Sequence, residues 1–287
     1  MGVDWNKVAT DNKEVIDQEE GYVSPLNENE IDKIVAEAEN RVSKVNLNCL
    51  IVGKDGVGKS GVVMDRANKY EKKTLFIDLD GGDRELKDTY YKDNKKMIVI
   101  CPLVSHEVKD DIVIDYKATI AKIKALVLHV NRHISEYDAI VIDGLSSLLK
   151  DAEYLMRMEK NMTVDGGVNQ LYWKVRAKTF IDVLEITKML PGIDRYFIGH
   201  EDFDVDEPKP GEKISTPKLV VNRMIHQRIV CRKEIEGKKV MFKAIIDKSK
   251  YNSNMEGKEI VFCTVENGKA VWNPDLVFEG LKGEVKQ

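Results

Sequence analysis

Eight consecutive residues constrain this chain more than anything else in it. Gly53-Lys54-Asp55-Gly56-Val57-Gly58-Lys59-Ser60 satisfies G-x-x-x-x-G-K-[ST] at every fixed position, a match that chance produces in a chain this long about once in a hundred. The apolar run NCLIVG (48–53) ends at the first glycine, and a helical pattern runs from Lys59 to about Tyr70. The motif therefore falls at a strand-to-helix turn. Triphosphate oxygens need several donors converging on one point, and consecutive backbone N–H groups supply them where glycines tolerate positive φ and close approach. The candidate nucleotide-binding residues are Gly53, Asp55, Gly56, Val57, Gly58, Lys59, Ser60 and Gly61. Lys59 is placed to reach the β and γ phosphates, and the Ser60 hydroxyl to ligate Mg²⁺. The alternative is an ordinary glycine turn before a helix.

Further strands read at TLFIDLD (74–80), MIVICP (97–102), AIVIDG (139–144) and RYFIGHE (195–201), with an amphipathic helix over 114–136 and helix-rich sequence from Leu145 to Leu190. Strands alternating with helices predict an α/β fold with a mainly parallel central sheet flanked by helices. From Gln227 the texture changes to strand pairs, RIVCRKE with KVMFKAII and IVFCTV with AVWNP, the second joined by Asn267-Gly268. These predict antiparallel C-terminal hairpins extending the same sheet. Residues 1–44 read as a polar arm followed by a short helix carrying Ile31, Ile34, Val35, Ala38 and Val42 on one face, and residues 45–287 as one domain.

A magnesium nucleotide also calls for a carboxylate at the end of a buried strand beside the phosphate loop. Asp143, closing AIVIDG, is the candidate metal residue with Ser60; a helix cap is its alternative reading. Asp78 and Asp80 share one side of their strand, with Asp83 beyond the glycines. Asp80 lies nearer the carboxyl edge and is the better candidate for orienting an attacking water, leaving Asp78 as a structural acid or a supporting partner.

Composition excludes some classes. Forty-five basic against forty-nine acidic residues give a net charge of −4, without the excess of Lys and Arg that marks a dedicated nucleic-acid binder. No run of 18 apolar residues suggests a membrane span. Cys49, Cys101, Cys231 and Cys263 are widely spaced in apolar runs, as expected of buried, reduced thiols in a cytoplasmic protein.

Together the phosphate loop, the strand Phe76–Asp80, the D-G-L-S-S-L run Asp143–Leu148, a strand ending in Gly199-His200-Glu201, and a hairpin followed by Lys248-Ser249-Lys250 resemble the RecA-type P-loop ATPase core over roughly residues 45–255. The texture is most similar to compact, phage-encoded RecA-like ATPases associated with single-strand annealing, which would work in the host cytoplasm. The resemblance implies ATP and Mg²⁺ as cofactors. It also implies a homo-oligomer, ring or filament, with ATP at subunit interfaces. Asp80 takes the place of the water-activating acid, usually Glu. His200 takes the place of the polar γ-phosphate sensor. Lys248 and Lys250 match the cations a neighbouring subunit supplies, with Arg223, Arg228 and Arg232 in reserve. A backbone-satisfied histidine and a solvated strand edge are the plain alternatives for these last assignments.

The same resemblance maps two DNA-gripping loops. The first, 157–176, offers Arg157, Lys160, Tyr172, Trp173, Lys174 and Arg176, a basic and aromatic mix suited to single strands. The second, 201–218, sets Glu201, Asp202, Asp204, Asp206, Glu207 and Glu212 against Lys209, Lys213 and Lys218, and its negative balance repels phosphates. The expected function is thus an ATPase acting on single-stranded DNA in recombination, annealing or repair, with a single-strand-binding or annealing protein as a possible partner. The alternative is a nucleotide-switched assembly or regulatory ATPase that binds protein partners without DNA. A small-molecule kinase sharing the phosphate loop is a third reading.

Overall fold

The computed structural model describes residues 45–108, 111–163, 166–201 and 216–282. The arm and helix expected within 1–44, and most of the acidic loop expected after Glu201, lie outside the described residues.

The sequence NCLIV forms β1 (Asn48–Val52), buried at every position, and the phosphate-loop motif leads from it into α1 (Lys59–Lys69). Then come β2 (Thr74–Asp78), α2 (Asp83–Tyr90), β3 (Met97–Ile100), β4 (Ser105–Val108), β5 (Asp111–Ile114), α3 (Tyr116–Arg132), β6 (Ala139–Asp143), α4 (Leu145–Glu159), α5 (Gln170–Thr187) and β7 (Asp194–Gly199). The C-terminal part is α6 (Thr216–Met224), β8 (Gln227–Glu236), β9 (Lys239–Ser249), β10 (Glu259–Glu266), β11 (Lys269–Trp272) and α7 (Asp275–Lys282).

Nine strands make one sheet in the order β11-β10-β9-β8-β1-β7-β6-β2-β3. From β3 to β8 all neighbours are parallel, and β8, β9, β10 and β11 continue as antiparallel pairs, as the change of texture at Gln227 predicts. Alternation along β1 divides the core into two layers. Cys49 and Ile51 pack with Met64 of α1 and Phe278 of α7, while Leu50 and Val52 pack in the layer that holds Ile123 of α3, Leu148 of α4 and Phe180 of α5. β1 lies between β7 and β8, so the phosphate loop leaves the middle of the sheet at its carboxyl edge.

Three expectations need correction. The strand over 74–80 stops at Asp78, because Asp78 accepts hydrogen bonds from Gly81 N (2.7 Å) and Asp83 N (3.0 Å) and turns the chain. The helix over 114–136 is α3 followed by a 3₁₀ turn, Ile134–Glu136; Asp115 caps it by accepting from Ala118 N at 2.8 Å. The residues before that cap form the β4–β5 hairpin, whose Ile112 is 79% exposed. Cys101 is exposed, unlike the other three cysteines, because it follows β3 at the open edge of the sheet.

Candidate nucleotide site at the carboxyl edge of the sheet

Where β1 ends, the chain passes so close to β8 that a Cβ on Gly53 would stand 2.5 Å from the Cys231 carbonyl oxygen. Gly58 caps α1 in the left-handed region (φ 84°) with no side chain on the helix N-terminus, which leaves the first-turn amides open to an anion. Lys59 Nζ donates to the carbonyls of Gly53 (2.9 Å) and Lys54 (2.7 Å), spanning the mouth of the loop.

Four aspartates gather beside it. Asp78 and Asp143 are register partners at the ends of β2 and β6, and the Ser60 hydroxyl donates to Asp143 Oδ2. Asp83 opens α2 and is 3% exposed, and its Oδ2 has no hydrogen-bond partner. Burial, then the Asp143 and Asp78 carboxylates, push Asp83 far above the usual carboxylate range. Burial also pushes Asp143 up, against the pull of the Ser60 hydroxyl. An orphaned buried carboxylate oxygen among like charges, beside a hydroxyl, is a donor set short of one cation, so the residues fit a magnesium ion. Among the described residues no three His, Cys, Asp or Glu side chains could hold a metal by themselves. That agrees with an ion completed by phosphate oxygens and water.

Asp80 sits in the turn after β2. Its Oδ1 accepts from Ser147 Oγ at 2.5 Å, and its Oδ2 is 3.3 Å from His200 Nε2. His200 follows β7; its backbone N–H donates to Ser146 Oγ (3.3 Å), and its Nδ1 is 2.9 Å from Asp55 Oδ1 of the phosphate loop. These groups line a cleft of about 810 Å³ that is also walled by aromatic side chains, Tyr90, Tyr91, Phe242 and Trp272. Trp272 presses on α1 so closely that a Cβ on Gly61 would lie 2.5 Å from its ring. Loop, four aspartates and His200 therefore share one cavity, polar for a phosphate chain and apolar for a base.

Lys248 and Lys250 are elsewhere. Ser249 pairs with Gln227, and Gln227 with Cys49, so they lie at the amino edge of the parallel strands, across the sheet from the phosphate loop. Lys248 Nζ donates to the carbonyls of Asn222 (2.6 Å) and Ile225 (3.2 Å), and burial, then Lys250, lower its pKa. The DNA candidates flank α4 and α5. Arg157 donates to Glu153, Thr163 O and Gly166 O, and Arg176 donates to the same Glu153 (2.8 Å) while covering the Trp173 ring. Lys160 lies over Tyr172, and Lys174 is exposed. Much of the expected DNA-contacting segment is thus helix, with two of its four cations held within the chain.

Sequence reading passed over Asp83 as a site residue and missed the aromatic wall. Asp83 carries the signal of a first-turn acid after a Gly-Gly pair, whereas Trp272 reaches the loop only through sheet order. Asp151 of α4 is also charged and buried; burial pushes its carboxyl up to about 6, with Lys150 opposing. Its folded pKa lies above the unfolded 3.8, so folding takes up a proton in that window and stability falls as pH rises from 3.8 to about 6, then levels. Asp151→Asn should stabilise the protein at pH 8 by about 1–2 kcal/mol, a gain that shrinks toward zero by about pH 4. Thermal melts at the two pH values check this; equal shifts at both would refute it.

The geometry meets a family assignment here: the family model described as AAA domain matches residues 45–231. The chain belongs to the AAA domain family. As a member it carries an ATP-binding and ATP-hydrolysing domain, and the matched stretch runs from the residues before β1 into β8. Among solved structures, a KaiC-like protein from the hyperthermophilic archaeon Pyrococcus horikoshii is similar over 79% of this chain and 89% of that one, at 13% identity and a TM-score of 0.44. No curated protein matches. Among the described residues of this AAA domain protein, no helix is long and apolar enough to cross a membrane.

Proposed function

We propose that this AAA domain protein is a nucleotide-switched assembly or regulatory ATPase that forms homo-oligomers and acts on a protein partner. The cleft supports the chemistry. Amides from Gly53 to Gly61 would cradle the phosphates, Lys59, now on the Gly53 and Lys54 carbonyls, would meet the β and γ phosphates, and Ser60 with Asp143 would hold magnesium. A magnesium ion bound there would neutralise charge on the phosphate oxygens. Asp80 accepts a hydrogen bond from the attacking water, and the aromatic wall takes the base.

Two features favour assembly. Acid groups crowd the carboxyl edge of the sheet, and Lys248 and Lys250 mark the opposite edge, so head-to-tail stacking brings a neighbour's cations to the phosphates. Mixing Lys248→Ala and Asp80→Asn subunits under conditions of co-assembly should restore turnover beyond either variant alone, because some interfaces then hold both intact residues. No recovery in the mixture would count against sites shared between subunits.

For the effector, the pairing of Arg157 and Arg176 with Glu153 carries the argument: it withdraws half of the cationic candidates from solvent-facing phosphate contact. Exposed Lys160 and Lys174 beside Tyr172 and Trp173 favour a second reading, an ATPase working on single-stranded DNA in recombination, annealing or repair, as in compact phage-type RecA-like ATPases with an annealing or single-strand-binding partner. Anisotropy of a fluorescent single-stranded oligonucleotide, with ATP turnover, across a salt series separates them. Silence at low salt supports the protein-partner reading, and binding with a clear salt slope supports the second.

A further inference from the structure

Position 55 is one of the unrestricted positions of the phosphate-loop motif, and here it carries an acid. A carboxylate in an anion-binding loop repels the phosphates the loop is shaped to hold. In this chain the acid has a specific partner: Asp55 Oδ1 lies 2.9 Å from His200 Nδ1. The next residue along, Glu201, faces Lys54 at 4.0 Å, so two consecutive loop residues reach the two residues that follow β7.

A carboxylate only accepts hydrogen bonds, so a ring nitrogen that close to it serves as the donor. An imidazole held at Nδ1 by an acceptor has its plane and tautomer set, which directs Nε2 at a chosen target. Here Nε2 is 3.3 Å from Asp80 Oδ2, and Asp80 is itself held by Ser147. The ring is therefore gripped from the phosphate loop, from the turn after β2 and, through Ser146 on its backbone N–H, from α4.

We propose that Asp55 is a positioning residue for ATP hydrolysis: its carboxylate orients the His200 ring so that Nε2 stands beside Asp80 at the phosphate end of the cleft. From there Nε2 can donate to Asp80 or to a terminal phosphate oxygen when the ring carries both protons, and in the neutral ring, whose single N–H faces Asp55, it is an acceptor. The proposal rests on the ATPase reading above and adds to it a role for a side chain that phosphate binding through backbone amides does not require.

The test is steady-state ATP hydrolysis by the full chain between pH 5.5 and 8.5, for the unaltered protein, Asp55→Ala and Asp55→Asn. Asp55 is largely exposed, so its replacement spares folding. Asp55→Ala should lower kcat about tenfold with a much smaller change in KM, and should move the pH dependence of kcat. The groups facing the ring are Asp55 and Asp80; Ser146 accepts from its backbone N–H, Ser147 holds Asp80, and Glu201 with its partner Lys54 is adjacent. Asp55→Asn keeps an acceptor for Nδ1 and should recover most of kcat. A readout independent of turnover is the ¹⁵N spectrum of His200 in nucleotide-free protein, whose Nδ1 signal should shift in Asp55→Ala and return toward its original position in Asp55→Asn. No turnover by the unaltered protein overturns the ATPase reading and this proposal with it. Turnover with an unchanged kcat, pH profile and Nδ1 signal in Asp55→Ala overturns the proposal alone, as does a failure of Asp55→Asn to recover kcat.

Discussion

ATP turnover by a Lys59→Ala protein should fall by about two to three orders of magnitude, the scale on which removing one preorganised charge donor from a phosphoryl-transfer site acts. The ammonium now rests on the Gly53 and Lys54 carbonyls, at the mouth of the loop that would receive the phosphate chain. Its removal frees two carbonyls in a solvent-accessible loop, so the melting temperature should change little. The pairing of lost turnover with retained stability is what identifies a binding cation. A coupled-enzyme ATPase assay beside a thermal melt decides it, and undiminished turnover would remove the loop from the site.

The largest effect on stability is expected at Arg66, on the same helix as Lys59 two turns further on. Its side chain is 2% exposed, donates to Glu279 at 2.8 Å, faces Asp275 and lies over the rings of Phe278 and Tyr70. Arg66→Ala loses this packing, leaves a cavity and takes from Asp275 and Glu279 of α7 one of their cations, leaving them Lys69 and Lys282, for a cost of about 3–5 kcal/mol that is mostly the cavity. Arg66→Met keeps most of the volume and ends the burial of a charge, so its cost should be about 1 kcal/mol or less. Denaturant titrations of the two variants separate packing from charge. Equal large losses would mean that the ion pair, rather than the filled space, holds α7 on α1.

What could be read from the chain beforehand follows physical range. The phosphate loop, β1, β6 and the turn at Asn267-Gly268 are written in adjacent residues, and the parallel-then-antiparallel sheet follows from their texture. The candidate pair Ser60 and Asp143 was also legible, because each closes or follows a continuous apolar strand, and the structure brings the two side chains into contact. The β4–β5 hairpin was not, since Ile112 and Val113 are apolar yet exposed and mimic the first turn of α3. Nor was the grip of Asp55 on His200, which depends on β7 lying beside β1, or of Trp272 on Gly61, which depends on the hairpins carrying β11 out to the sheet's edge, because nothing local encodes that order. Cys101 misled for a related reason: MIVICP reads as buried, but an edge strand covers only part of such a run.

The position of β1 between two late strands has a consequence for biosynthesis. Its first contacts on either side, Leu47 with Asp194 and Asn48 with Gln227, span 147 and 179 residues. A ribosome adding about 5–20 residues per second makes Gly53–Ser60 roughly 7 to 35 seconds before those partners emerge. Until then the nascent chain carries the whole motif without a pocket, and a product truncated before β8 should keep the signature and fail to retain nucleotide.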